Sequence, residues 1–299
     1  MLALLLIPAL LGLAFLFDGD DDSDNTTNDD GLDTTTLNET DTNFTGTENG
    51  ERIVGNDLSN TLRGGGGDDI LAGNGDADLI DGQTGEDTLY GGSGNDTVIG
   101  GEGDDLVFLG AGADQYTPGD RAADQQDIGN DTINGGVGND VIVDLLGSNT
   151  LTGSGGDDIL SAIDGLRDDG TQGPDAQLGT TDNLRGGTGD DALIGDEGDE
   201  MTGGSGDDTF YVAIDEARTQ DAVTITDFNV NDDSFAVVRL NETDADAEVT
   251  FTENAGRNSV SAFLGGAEIA VLNGLDADDI ENISVAVFDE ADYLARLMA

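Results

Sequence analysis

The sequence contains no cysteine, no histidine and no tryptophan, and the first two absences exclude classes of function. Without cysteine there is no disulfide framework and no thiolate site. Without histidine there is no HExxH zinc protease motif and no Ser-His-Asp triad. Lysine and arginine total 9 residues against 65 aspartates and glutamates, so a basic surface for phosphates is missing. We therefore expect a protein that is not an enzyme and does not bind nucleic acid.

The net charge of the chain restricts the states that it can adopt. A formal net charge of -56 opposes a compact state through self-repulsion. A chain of this kind is either disordered or folded around bound cations. The 47 glycines favour the second alternative because they recur at a fixed spacing instead of being scattered.

The first fifty residues divide into two segments of opposite character. Residues 1–17, MLALLLIPALLGLAFLF, are an unbroken apolar run that predicts a membrane anchor or an atypical signal. A short buried helix is the alternative. Residues 18–50 are acidic and polar, which predicts a flexible tether.

A nine-residue repeat begins at Gly64 and has the pattern G-G-x-G-x-D-x-U-x, in which U is apolar. We number the positions of each nonapeptide one to nine. Glycine can adopt positive φ, so positions one to four predict a tight turn, and x-U-x predicts a short strand with U in the core. The blocks that fit every fixed position begin at Gly64, Gly91, Gly100, Gly135, Gly186 and Gly203.

The aspartate at position six is the candidate metal-ligating residue of each block. The register of the repeat slips through residues 118–125, and the repeat is interrupted again at about 162–179. It therefore falls into three runs. Asn149 and Glu200 stand at position six of two blocks, and Asp76 replaces the glycine at position four of another, which weakens the predicted sites there. The position-six aspartates are Asp69, Asp78, Asp87, Asp96, Asp105, Asp114, Asp131, Asp140, Asp158, Asp182, Asp191 and Asp208.

These blocks resemble the RTX, or haemolysin-type, calcium-binding proteins, and the resemblance covers residues 55–211. It implies an all-β fold, a right-handed parallel β-roll in which two nonapeptides form one coil. It also implies several Ca²⁺ ions between turns that stack 18 residues apart, as Asp69 does with Asp87. Ligands would be the aspartate carboxylates, with Asp182 the least regular, and carbonyls of the glycine-rich turns, which suits a hard cation.

An estimate of repulsion supports coupled binding and folding. Coils stack about 4.8 Å apart, and two carboxylates at that distance repel by roughly 3.5 kcal/mol at an effective dielectric of about 20. A small roll with one aliphatic side chain per nonapeptide buries too little apolar surface to offset such terms. We therefore expect a roll over residues 51–211 that folds on binding calcium.

Residues 212–299 lack the repeat and alternate in polarity, which predicts a small antiparallel β cap for the last coil. By resemblance, this region also carries a type I secretion signal, and a plain capping domain is the alternative. The whole chain is expected to be a secreted or cell-surface calcium-binding protein. The alternatives are a calcium-dependent adhesin or matrix component that binds cell-surface glycans or proteins and, less favoured, an accessory chain of an enzyme.

Overall fold

A computed structural model describes residues 26–27, 32–117, 129–144, 146–163, 180–215, 221–240 and 247–289. Within those ranges the protein is built from β-strands, with a single 3-10 turn at Ile280–Asn282. This confirms the expected all-β class. No helix in these ranges is long and apolar enough to cross a membrane, and the predicted anchor at 1–17 lies outside them.

The strands are short, and ten of those in the described ranges carry positions seven to nine of one nonapeptide and the first three positions of the next. The first half of the chain contributes β1 (Thr26–Thr27), β2 (Asp33–Thr36), β3 (Asn43–Thr45), β4 (Glu51–Val54), β5 (Thr61–Gly66), β6 (Ile70–Gly75), β7 (Leu79–Thr84), β8 (Thr88–Ser93), β9 (Thr97–Glu102), β10 (Leu106–Ala111), β11 (Gln115–Thr117), β12 (Thr132–Val137) and β13 (Val141–Val143). The second half contributes β14 (Thr150–Gly155), β15 (Ile159–Ala162), β16 (Asn183–Thr188), β17 (Ala192–Gly195), β18 (Glu200–Ser205), β19 (Thr209–Asp215), β20 (Val223–Ile225), β21 (Ser234–Leu240), β22 (Val249–Glu253), β23 (Ser259–Leu264), β24 (Ala267–Asn273) and β25 (Val285–Asp289).

Two long sheets result, because successive strands alternate between them. The first sheet has the order β1-β2-β4-β6-β8-β10-β12-β14-β16-β18-β20-β24-β23-β22, and the second has the order β25-β21-β19-β17-β15-β13-β11-β9-β7-β5-β3. From β2 to β20 in the first sheet and throughout the second, neighbours pair in parallel, as in Leu71↔Leu89 and Leu89↔Val107. This is the expected parallel β-roll with two strands in each coil.

The core lies between the two sheets and is formed by the apolar residue at position eight. Leu71, Ile80, Leu89 and Val98 are all fully buried, and the same holds around the coils on either side. Burial of one such side chain contributes about 1.5–3 kcal/mol. The prediction that position eight points into the core is confirmed.

The roll begins earlier than the sequence analysis placed it. Residues 33–36 and 43–45 form β2 and β3, which pair in parallel with β4 and β5, so this part of 18–50 is not the flexible tether that we expected. Phe44 packs against the core nine residues before Ile53, which is nine before Leu62. The apolar spacing therefore continues where the glycines and aspartates have been lost.

The C-terminal region is more mixed than the expected antiparallel cap. Antiparallel pairing joins β22, β23 and β24, as predicted. However, β20 and β24 continue the first sheet in parallel, and β21 and β25 continue the second. The two-sheet architecture thus extends past residue 211, and the last coils are closed by a hairpin on one sheet only.

Candidate calcium-binding turns

The turns between strands form two stacks, one along each edge of the roll. Turns of edge one lead from the second sheet to the first, and turns of edge two lead from the first sheet to the second. Residues at position six follow the order Glu51, Asp69, Asp87, Asp105, Asp131, Asn149, Asp182 and Asp199 along edge one. They follow the order Asn60, Asp78, Asp96, Asp114, Asp140, Asp158, Asp191, Asp208 and Asp233 along edge two.

Each stack is held by a ladder of hydrogen bonds through the position-six side chain. The backbone N–H of Asp69 donates to Oδ1 of Asp87 over 2.8 Å, and the N–H of Asp78 donates to Oδ1 of Asp96 over the same distance. The partners are 18 residues apart, as expected for one coil. The structure therefore brings every predicted aspartate into one ladder or the other.

The ladder continues across the irregular segments of the sequence. Asp105 pairs with Asp131 at a separation of 26 residues, and Asp158 pairs with Asp191 at a separation of 33. The register of the ladder is therefore unchanged, although more residues separate these turns in the sequence. The regular family pattern is thus not required for a turn to join the stack.

The second carboxylate oxygen, Oδ2, explains why position one is glycine. A Cβ added to Gly64 would lie 2.2 Å from Oδ2 of Asp69, and one added to Gly135 would lie 2.4 Å from Oδ2 of Asp140. The same approach, at 2.2 to 2.7 Å, holds for Gly91, Gly100, Gly186 and Gly203 with the aspartates of their own blocks. Glycine at position one therefore makes room for the carboxylate.

Glycines at positions two and four have a different role. Gly65 and Gly67 have φ of 120° and 84°, a region that favours glycine. Asp76, which replaces the position-four glycine, has φ of 59°, a value that aspartate tolerates better than most residues. The departure that we noted at Asp76 therefore leaves the turn intact.

The position-six carboxylates are buried, with at most 4% of the residue exposed from Asp69 to Asp208. Oδ2 is buried without a hydrogen-bond partner in Asp69, Asp78, Asp96, Asp114, Asp140, Asp158 and Asp191. A buried carboxylate oxygen that lacks a partner is costly unless a cation compensates it. The arrangement is therefore a set of oxygen atoms that favours a bound cation.

Burial also changes the protonation of these groups. Burial raises the pKa of Asp69, Asp78 and Asp158 to about 7, against the lowering effect of the backbone N–H that each accepts. The neighbouring carboxylates in the stack, Asp87 for Asp69 and Asp96 for Asp78, raise the pKa further. The pKa values of Asp96, Asp140 and Asp208 are raised to about 6, again chiefly by burial.

A second ladder, which the sequence analysis did not identify, involves position five. Oδ1 of Asp68 accepts from the N–H of Glu86 over 3.0 Å, and Oδ1 of Asp104 accepts from the N–H of Asn130 over 2.8 Å. It runs opposite to the first, because the acceptor here belongs to the earlier coil. The frequent Asp-Asp and Asn-Asp pairs at positions five and six are the signal that could have revealed it.

One assignment in the third run was wrong. Glu200 is an exposed strand residue, whereas Asp199 is fully buried and its Oδ1 accepts from the N–H of Asp182 over 2.8 Å. The shortened block 195–202 lacks one residue before the aspartate, so the separation from Asp182 is 17 instead of 18. Asp182 itself belongs to the ladder, since its Oδ1 accepts from the N–H of Asn149.

Both ends of the stacks are closed by side chains that bond to the backbone. At the start, Oδ1 of Asn60 accepts from the N–H of Asn56 over 2.8 Å, and the carboxylate of Glu51 accepts from Thr47. At the end, Asp233 accepts from the N–H groups of Asp208 and Asn229. The terminal turns are therefore satisfied by local hydrogen bonds.

The donor set fits calcium, with one condition. In the ranges described above, no three acidic side chains converge closely enough to hold a metal ion by themselves. A site in these turns must therefore include backbone carbonyl oxygens besides one or two carboxylates, and Ca²⁺ accepts such ligands in flexible geometry. An ion there would compensate the negative charge of the buried Oδ2 atoms of Asp78 and Asp96.

The fold and the turns define an acidic, parallel β-roll whose turns are lined by oxygen atoms. Comparison with known families agrees: the profile of the RTX calcium-binding nonapeptide repeat matches residues 45–80, 54–89, 81–116, 127–160 and 179–210. The chain belongs to this family, whose repeats bind calcium. The expected resemblance is therefore confirmed.

Other comparisons add little about activity. No curated protein matches the chain. A solved structure, the extracellular lipase LipA from Serratia marcescens, matches with 16% identity and a TM-score of 0.25. The match covers 86% of this chain and 42% of that chain. At this level of similarity it carries no argument about the activity of the present protein.

Proposed function

We propose that this protein is a non-enzymatic, secreted or cell-surface module whose β-roll folds on binding several Ca²⁺ ions in its turns. The observation that carries the proposal is the row of buried carboxylates in which Oδ2 has no hydrogen-bond partner, as in Asp69, Asp78 and Asp96. The proposed ligands are the position-six aspartates of both edges and carbonyl oxygens of the turns that begin at the position-one glycines. Proteins with these repeats are typically extracellular, where calcium is millimolar.

Repulsion between the buried carboxylates makes the folding of the roll depend on the bound ion. Without an ion, the carboxylate of Asp96 raises the pKa of Asp78 in the neighbouring turn, and the carboxylate of Asp114 raises the pKa of Asp96 in the same way. At neutral pH this repulsion and the loss of hydration oppose folding. With an ion, the same charges favour the stacked turns, so folding and binding occur together.

The test is a calcium titration of the whole chain, followed by far-UV circular dichroism, with magnesium as the control. We expect a disordered spectrum in chelator, a β-rich spectrum in millimolar calcium, and reversal on chelation. Magnesium should have little effect because it demands a tight octahedral geometry. A β-rich spectrum in chelator that calcium does not alter would contradict the proposal.

A second candidate, a calcium-dependent adhesin, is favoured by one surface. On the outward face of the first sheet the rings of Tyr90 and Phe108 stack at 5.3 Å with an angle of 9°. Tyr90 is 39% exposed, Leu106 on the strand of Phe108 is 38% exposed, and Val137 at the end of the next strand is 70% exposed. Exposed rings beside apolar side chains are suited to a glycan or a protein partner. Binding to a glycan array with calcium but not with chelator, lost in Tyr90→Ala, would support this candidate.

A further inference from the structure

Two consecutive turns of edge one differ from the turns at the same level of edge two. In the first, Oδ2 of Asp131 accepts a hydrogen bond from the hydroxyl of Tyr116 over 3.2 Å. Tyr116 occupies position eight, where the neighbouring coils carry Val98 and Ile142, and it is 1% exposed. Its hydroxyl also lies next to the preceding turn of edge one, since it would be 2.6 Å from a Cβ added to Gly100 in the block of Asp105.

In the next turn the carboxylate is replaced by an amide. Oδ1 of Asn149 keeps its place in the ladder by accepting from the N–H of Asp131 over 2.9 Å. Its Nδ2 donates to the carbonyl of Leu146 over 3.1 Å, inside the same turn. A neutral donor therefore occupies the position at which other turns present a second, negatively charged oxygen.

At the same level along the roll, the turns of edge two carry a different set of groups. Asp140 and Asp158 stand in consecutive turns there, and Oδ2 of each is buried without a hydrogen-bond partner. Edge two thus offers two negative oxygens where edge one offers a hydroxyl-bonded carboxylate and an amide.

From this contrast we infer that the turns of Asp131 and Asn149 close without an ion, so that the calcium row of edge one has a gap that edge two lacks. The Tyr116 hydroxyl and the Asn149 amide make hydrogen bonds in these turns, so no ion is needed there to compensate a buried oxygen. The inference rests on the proposed function and assigns Asp131, a predicted ligand, a structural role instead.

The position of the first irregular segment in the sequence agrees with the gap. In the sequence, residues 118–128 and 164–179 each follow a strand of the second sheet and precede a strand of the first, as the turns of edge one do. The first lies directly before the turn of Asp131, and the second directly before that of Asp182. A turn that need not present a fixed cage of oxygens can follow an insertion more readily than one that must.

The test counts bound ions by native mass spectrometry of the whole chain at saturating calcium. Asp131→Asn should leave the count unchanged, whereas Asp140→Asn, the matched change on edge two, should lower it by at least one. Asn149→Asp should add one ion, and the control Asn139→Asp, at an exposed position five, should add none. Tyr116→Phe should add an ion or lower the calcium midpoint, and Tyr90→Phe should do neither.

The outcomes separate the inference from the proposed function. If the wild-type chain binds no calcium, the proposed function fails. If it binds calcium but Asp131→Asn lowers the count as Asp140→Asn does, only the gap is overturned. Asp144, buried at position one of the Asn149 turn, is the remaining carboxylate that could serve a site there. A count lowered in Asp144→Asn would also overturn the inference, and an unchanged count would support it.

Discussion

The two edges of the roll solve the same stacking problem with different degrees of regularity. Edge two carries an aspartate in every turn from Asp78 to Asp208, each hydrogen-bonded to the turn before it. Edge one admits Asn149, the tyrosine-bonded Asp131 and two inserted segments. The hydrogen-bond ladder is continuous on both edges, so the ladder does not distinguish them. Under the proposed function, the buried negative charge, which differs between the edges, makes folding depend on an ion.

The largest effect should follow from filling the space of a carboxylate on edge two. Gly73→Ala would place a Cβ 2.1 Å from Oδ2 of Asp78, whereas Gly75→Ala in the same turn meets nothing closer than 3.6 Å. We expect Gly73→Ala to lower the free energy of unfolding in calcium by about 3 kcal/mol, as measured by urea denaturation. Gly75→Ala should lie within about 0.5 kcal/mol of wild type.

Equal destabilisation by both alanines would mean that position one is glycine for a reason other than the carboxylate. Edge one gives a natural precedent, since Asp144 occupies position one in the turn in which Asn149 replaces aspartate. The two departures from the pattern therefore occur in the same block.

A smaller effect is expected from removing one charge of edge two. Asp96→Asn keeps the hydrogen bond that Oδ1 accepts from the N–H of Asp78 but removes the negative oxygen. The calcium midpoint of the circular dichroism transition should rise about tenfold, which corresponds to about 1.4 kcal/mol. The control is Asp104→Asn, at position five on edge one, which should change the calcium midpoint by less than about twofold. A midpoint that Asp96→Asn leaves in place would remove Asp96 from the ligands.

Protonation of the buried carboxylates at low pH should stabilise the roll in part, as bound calcium does. Aspartates in the unfolded chain have a pKa near 3.9, whereas the pKa of Asp69 and Asp78 in the roll is about 7. Because the folded pKa is raised, the folded state binds more protons between about pH 4 and 7. The ion-free roll therefore gains stability as the pH falls from 8 to 5 and loses it as the pH rises through 7.

Circular dichroism in chelator should accordingly show more β-structure at pH 5 than at pH 8. The calcium midpoint should be lower at pH 8, where protons no longer compete for the carboxylates. An ion-free protein that is best ordered at pH 8 would contradict the assigned burial of these groups.

The smallest effect concerns the position-five ladder. Oδ1 of Asp157 accepts from the N–H of Asp190 over 3.0 Å at an exposed site. Asp157→Ala should lower the free energy of unfolding by about 1 kcal/mol or less, with the calcium midpoint nearly unchanged. A large shift of the midpoint would instead show that position five binds the ion.

Much of the fold could be predicted because a nine-residue pattern determines both the turn and the buried residue. The burial of position eight follows from that spacing, and the pairing of Asp69 with Asp87 follows from the resemblance to the family. The start of the roll was missed because β2 and β3 keep the apolar spacing without the glycines. Asp199 was missed because a deletion within its block shifts the aspartate by one residue. The bond from Tyr116 to Asp131 could not be predicted, since it joins residues from different turns across an insertion.

Hydrogen exchange of the backbone amides, compared in calcium and in chelator, tests the central claim most directly. If the carboxylates of the two edges bind calcium, strands β6 to β19 should be protected in calcium and exchange rapidly in chelator at pH 8. Protection should return when calcium is restored. Equal protection in chelator would contradict the account, because the roll would then be stable with its buried charges uncompensated.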